Sequence, residues 1–182
     1  MPTHSNEELN RNLTSLSREQ RSLKRVIDHL AKTLERDTLV QETTNQIRNA
    51  LGVDRIVLYY FYCQWQGQVT FESISVSQFS ILGSTGADEC FNDEYAAMYL
   101  AGRVRAIADI ELEPIHPCHR DFLRSIQVRA NLVIPVLTAR GLWGLLVAHH
   151  CQNARFWTSA DIEQMQRGAQ VLATAPSIIT GM

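Results

Sequence analysis

Leu9, Leu13, Leu16, Gln20, Leu23, Ile27, Leu30 and Leu34 recur at alternating steps of four and three residues, a heptad seam with one polar break at Gln20. The seam predicts a long N-terminal helix. It packs either on its own domain or on the same helix of a second chain, and so narrow a stripe favours a helical bundle at a dimer interface. Asp37 is placed to cap a second helix with Val40, Thr44, Ile47 and Leu51 on one side and Gly52 at its end. The β-branched and aromatic run VDRIVLYYFY (53–62) predicts a strand, a turn follows around Gly67, and VTFESISV (69–76) returns as its hairpin partner. Apolar periodicity is then lost from Ser77 to Asn92, an irregular loop.

A short helix over 94–102 ends at Gly102, and VRAIADI (104–110) predicts a third strand. A proline-containing linker, ELEPIHP, leads into a helix over 118–127 whose Phe122, Leu123 and Ile126 face inward. The runs 131–137 and 142–150, joined by a turn at Arg140 and Gly141, form a second hairpin. A closing helix over about 159–174 carries Ile162, Met165, Ala169 and Leu172 on one face. Hairpins with helices before, between and after them predict an α+β fold, a central antiparallel β-sheet flanked by helices with a further helix at the N-terminus. The expected divisions are a helix at 1–36, one domain at 37–176 and a tail at 177–182.

Composition narrows the function. At 182 residues, 45% apolar and 20% charged, the chain can bury a real core without disulfide staples. The net charge of −2 gives no electrostatic case for nucleic acid or an anionic membrane. The basic cluster Arg18, Arg21, Lys24 and Arg25 is interleaved with Glu19 and Asp28, as on a solvated helix face. No apolar run approaches the roughly 18 residues of a membrane span, and the N-terminus lacks the layout of a signal peptide. A cytoplasmic protein is expected, with Cys63, Cys90, Cys118 and Cys151 mostly reduced and no CxxC pair for zinc.

Nucleotide-binding loops, nucleophile elbows and zinc-protease motifs are all missing, so no enzyme is expected. The thiols stand out instead. Cys118 follows Pro117 and precedes His119 at a predicted helix start, where the helix dipole and an adjacent imidazole both favour the thiolate. Cys90 follows Asp88 and Glu89, whose charges disfavour its thiolate and make it the more reluctant nucleophile. A cytosolic cysteine is usually a small buried hydrophobe, which suits Cys63 and Cys151. For Cys118 the packing and chemical roles stay evenly balanced on these grounds, and His119 could equally be a core histidine.

The run PCHRDFLRSIQVRANLVIPVL, followed by LWGLLVAHH, resembles the chromophore-binding region of GAF domains in cyanobacteriochromes, relatives of the phytochromes. The strand DRIVLYYF is similar to that family's first core strand, and the likeness runs from about Leu23 to about Ala173. Asp88-Glu89-Cys90-Phe91 matches the DXCF motif of a dual-cysteine subgroup. The resemblance implies a photoreceptor domain that attaches a linear tetrapyrrole, phycocyanobilin or its isomer phycoviolobilin, through a self-catalysed thioether at Cys118. It further implies that His119 packs over the bilin, Asp88 accepts from pyrrole N–H groups, Phe91 walls the pocket and His149 approaches ring D. Cys90 would add reversibly to the central methine bridge, coupled to isomerisation of the bridge between rings C and D. A blue-absorbing dark state and a green- or teal-absorbing photoproduct are then expected. No output domain is readable, so a larger receptor is expected to supply it.

Three other functions compete. A GAF domain for a cyclic nucleotide or other small ligand needs no thiol at position 118. A redox or metal sensor would use Cys90, Cys118, His119 and Cys151, whose spacing is irregular. A purely structural dimerisation module explains the seam but leaves the Cys118–His119 pair without a role.

Overall fold

The computed structural model describes residues 4–63, 65–86 and 93–180, with the side chains of 4–15, 63 and 93 left aside. Its elements are α1 (His4–Arg36), α2 (Thr38–Leu51), β1 (Arg55–Cys63), β2 (Gln66–Ile74), a 3₁₀ turn (Ser77–Phe79), α3 (Asp93–Leu100), β3 (Arg105–Ile107), α4 (Pro117–Ser125), β4 (Ala130–Thr138), β5 (Gly141–His150), α5 (Ser159–Leu172) and α6 (Pro176–Thr180). The strands form one sheet in the order β2-β1-β5-β4-β3, every neighbouring pair antiparallel. This is the expected α+β architecture.

Period-two alternation gives the sheet two apolar faces. Ile56, Leu58, Leu132, Ile134, Leu146 and Ala148 pack with Val40, Ile47 and Leu51 of α2 and Met165, Ala169 and Leu172 of α5 into the main core. On the opposite face Val57, Val133, Leu145 and Val147 form a second cluster with Val69 and Tyr99. The long excursion between β2 and β4 runs over that second face, and there the cavity lies.

The heptad seam splits. Ile27, Leu30 and Leu34 are buried at 5%, 1% and 0% exposure, whereas Leu16 and Leu23 stay exposed, with Val26 beside them. The C-terminal half of α1 lies against α2, β2 and α6, so those seam positions serve the domain's own core. Leu9 and Leu13 lie among the side chains left aside.

The tail expected at 177–182 is instead largely the helix α6. Ile178 is fully buried in the main core, and Ser177 donates through its N–H and its hydroxyl to Asp37 Oδ2, at 3.0 and 2.6 Å. Asp37 also caps α2, its Oδ1 accepting from Leu39 and Val40 N–H. Burial alone would raise this carboxyl, but the bonds from Ser177, Val40 and Leu39 hold it below its ordinary value of 3.8. Asp37→Ala is expected to cost about 1–2 kcal/mol in urea unfolding near neutral pH. The difference from wild type should shrink as pH falls through the folded carboxyl's value, because protonating Asp37 weakens in the wild type the bonds that the variant already lacks.

Two boundaries differ from the sequence reading. The first hairpin turns between Cys63 and Gln66, with Trp65 at φ 61°, and Gly67 lies inside β2, where an added Cβ would sit 2.3 Å from the Tyr60 carbonyl oxygen. Close strand approach, not a turn, fixes that glycine. β3 stops at Ile107 because Asp109 turns the chain. Its Oδ1 accepts from Glu111 N–H at 2.9 Å and its carboxylate grips Arg129 through two bonds of 2.7 Å.

Candidate ligand cavity

A cavity of about 270 Å³ opens between the second sheet face and the β2–β4 excursion. Val57 and Tyr59 of β1, Val133 of β4 and Leu145 and Val147 of β5 form its floor. His119, Phe122 and Leu123 of α4 and Ile126 just beyond it form the opposite wall, and Tyr95, Tyr99 and Arg103 stand at another side. The lining is mainly apolar with a few polar groups, the usual make-up of a small-molecule site.

α4 begins as the sequence predicts. Pro117 occupies its first turn, and His116 is the cap, its Nδ1 accepting from Cys118 N–H at 3.3 Å. Cys118 is half-buried and free, on the first turn, while its neighbours His116 and His119 line the cavity. The sulfur itself is not part of the cavity wall. Burial, and then the Arg105 charge, lower the His119 pKa below 6.5, so the imidazole is neutral and able to accept a proton at neutral pH.

His149 lies on the cavity wall near the end of β5 and is 4% exposed. Its Nδ1 accepts from Arg55 Nε at 3.0 Å, and burial, reinforced by the Arg55 charge, holds its pKa well below 6.5. Asp88, Cys90 and Phe91 lie outside the described residues, and Gly86 before them and Tyr95 after them both line the cavity. Cys151 is half-buried and its thiol is pushed up to about 11 by burial, consistent with a packing role.

Several cavity residues escaped the sequence reading. Arg103 packs its guanidinium over the Tyr95 and Tyr99 rings at 5.3 and 5.9 Å, and Arg105 pairs with Glu113 at 2.8 Å. Arg103 lines the cavity and makes no ion pair among the described residues. Asn131 Oδ1 is buried without a hydrogen-bond partner on a residue of the cavity wall. The acid-rich linker also acquires a purpose. Asp109, Glu111 and Glu113 bind Arg129, Arg124 and Arg105, and Arg120 donates to the carbonyls of Ile110 and Glu113, which fixes the segment leading to Cys118. Among the described residues no cluster of three metal-ligating side chains exists, and no helix is long and apolar enough to cross a membrane.

The GAF domain family matches residues 35–175. The chain belongs to that family. This GAF domain is 54% identical over 153 residues to an uncharacterised protein of Picosynechococcus, covering 84% of this chain and 94% of that one. It is 33% identical to a putative methyl-accepting chemotaxis protein of Synechocystis, of whose length it spans 18%. Among solved structures it superposes on the blue-light-absorbing form of the PixJ GAF domain of Thermosynechococcus elongatus with a TM-score of 0.66 at 30% identity, covering 84% of this chain and 88% of that one. A phycoerythrobilin-bound GAF domain from a cyanobacterial phytochrome gives a TM-score of 0.69 at 27% identity, with 89% and 94% coverage. The GAF fold explains why the β2–β4 excursion roofs one sheet face while α2 and α5 cover the other.

Proposed function

We propose that this GAF domain is the sensory unit of a photoreceptor, holding a linear tetrapyrrole covalently through Cys118 with Cys90 as a second, light-switchable thiol. The observation that carries this reading is an apolar cavity walled by the same helix that presents Cys118 on its first turn. The donor set suits such a pigment, which is long and apolar, has amide-like ends and bears two carboxylates. The apolar floor takes its rings, Arg103 supplies a cation for a carboxylate, and His149 and Asn131 offer buried polar atoms on the wall. The bilin-bound and blue-absorbing forms among its structural neighbours support the same reading.

When bound, a bilin supplies a conjugated path that absorbs visible light and a double bond toward its last ring that turns on excitation. Cys118 anchors it by adding its thiol across the ethylidene of ring A. The sulfur–carbon bond forms as the double bond becomes single, the thiol proton ends on the neighbouring carbon, and no oxidant or reductant is consumed. His119, neutral in its buried position, takes the thiol proton in transit and packs against the pigment. Asp88 supplies a carboxylate for pyrrole N–H groups, and Phe91 walls the site. Cys90 would add its sulfur at the middle of the conjugated path, its proton passing to a pyrrole nitrogen, which would shorten the path to blue absorption; on leaving, the sulfur would take a proton back and green or teal absorption would return. The pigment is phycocyanobilin or its isomer phycoviolobilin. The exposed stripe Leu16, Leu23 and Val26 on α1 serves contact with a second copy.

Protein made in cells that synthesise bilin is expected to absorb in the blue and to convert reversibly under alternating blue and green light. Cys90→Ala should keep its covalent pigment and lose the blue form. A colourless wild type overturns the photoreceptor reading and returns the cavity to another small ligand; a blue form surviving in Cys90→Ala overturns only the second thiol.

A further inference from the structure

One polar row crosses the floor side of the sheet. Arg55 on β1 stands opposite His149 on β5, and His149 stands opposite Asn131 on β4. Arg55 is fully buried, and all three of its hydrogen bonds go to neutral acceptors: His149 Nδ1 at 3.0 Å, the Phe79 carbonyl in the 3₁₀ turn, and the Ile126 carbonyl at 2.8 Å. Ile126 is the C-cap of α4, so the cation also meets the negative end of that helix. A guanidinium has donors only and keeps its proton in proteins. The nitrogen of His149 that faces Arg55 therefore has to present its lone pair, and the ring's single proton sits on Nε2.

We propose that Arg55 is a positioning residue that locks His149 as the Nε2–H tautomer, so that the cavity wall offers a fixed hydrogen-bond donor that selects an oxygen acceptor on the ligand and cannot take up a proton. The acceptor being a bilin oxygen rests on the reading above, whereas the lock does not. The groups around the ring agree with it. Arg55 from β1, Arg105 from β3 and Arg103 after α3 are cations, His116 and His119 come from the start of α4, Tyr99 and Tyr95 bring phenols, and among the described residues no carboxylate lines the cavity to favour an imidazolium. A second proton on His149 would set two donors face to face in a buried site, an expensive arrangement. His149 is thus excluded as the group that stores any proton released from the ligand, and His119, which has no such partner among the described residues, is left for that role.

Long-range proton–nitrogen spectra of the full chain labelled with 15N-histidine test the lock, before and after pigment loading. His149 is assigned by the signal lost in His149→Gln. The wild type should show a single His149 form, Nε2 protonated and Nδ1 bare, unchanged between about pH 5 and 8. Arg55→Met should lose this single-tautomer signature, and Arg55→Lys, which retains a donor, should restore it. A wild-type His149 with a proton on Nδ1, or one that titrates in that range, overturns the proposal. So does Arg55→Met with an unchanged tautomer. Should Arg55→Met not fold, the wild-type and Arg55→Lys spectra decide. On loading, the Nε2–H proton should shift downfield as it donates; no shift in a coloured protein overturns the acceptor assignment. A colourless protein counts against the bilin reading alone.

Discussion

Cys118→Ala protein from bilin-synthesising cells is expected to lose all covalent pigment, so that the denatured band shows none of the zinc-induced fluorescence of the wild type. The expectation follows from where the thiols stand. Cys118 is on the first turn of a helix whose next residue, a neutral His119, lines the cavity. Its segment is held in place by three carboxylate–arginine pairs and by Arg120 on two carbonyls. Cys151, by contrast, is absent from the cavity lining and its thiol pKa is raised to about 11, which leaves it almost wholly protonated at neutral pH. Cys151→Ala should therefore retain full fluorescence. A fluorescent Cys118→Ala band would place the anchor on another cysteine.

The second large effect is on stability. Gly144→Ala is expected to destabilise the domain by about 3 kcal/mol or more, beyond most overpacking changes, because the obstacle is backbone. An added Cβ would lie 2.1 Å from the Tyr59 carbonyl oxygen and 3.2 Å from Tyr60 Cα, at the Tyr60–Gly144 pair that ends the β1–β5 ladder. Neither atom can yield without breaking strand pairing. For a chain of this size that corresponds to a melting point lower by roughly 6–12 °C. Gly168→Ala is the informative contrast, since its Cβ would meet the tip of the Ile47 side chain, which can rotate away. Thermal unfolding of the two variants side by side checks the difference; equal losses would mean that strand proximity at Gly144 is not the cause.

Much of the fold was legible because its signals are local. Asp37 and Gly52 bracket α2 as cap residues, Pro117 starts α4, and the apolar runs 131–137 and 142–150 around the Arg140-Gly141 turn specify a hairpin. What escaped depends on partners far along the chain. Arg55 looks like an isolated charge in a strand, and only folding brings it to His149, Phe79 and Ile126. Arg103 seemed a residue past a helix end until Tyr95 and Tyr99 oriented it at the cavity. Seam periodicity could not say which neighbour it meets, and α1 uses one half for its own core and leaves the other exposed. At Gly67 the sequence suggests a turn, because a glycine required by strand approach carries the same letter as one required by a bend. Of the candidate site, Cys118, His119 and His149 were readable as types in suggestive places, and His119 and His149 share the cavity wall with Arg103 and Asn131.

The most direct measurement is a mass map of the tryptic peptides from protein made with bilin. The peptide spanning 106–120 contains Cys118 as its one cysteine. The account predicts that this peptide carries the mass of one intact tetrapyrrole and absorbs visible light. A bare 106–120 peptide, with the pigment mass on another fragment or on none, would contradict it.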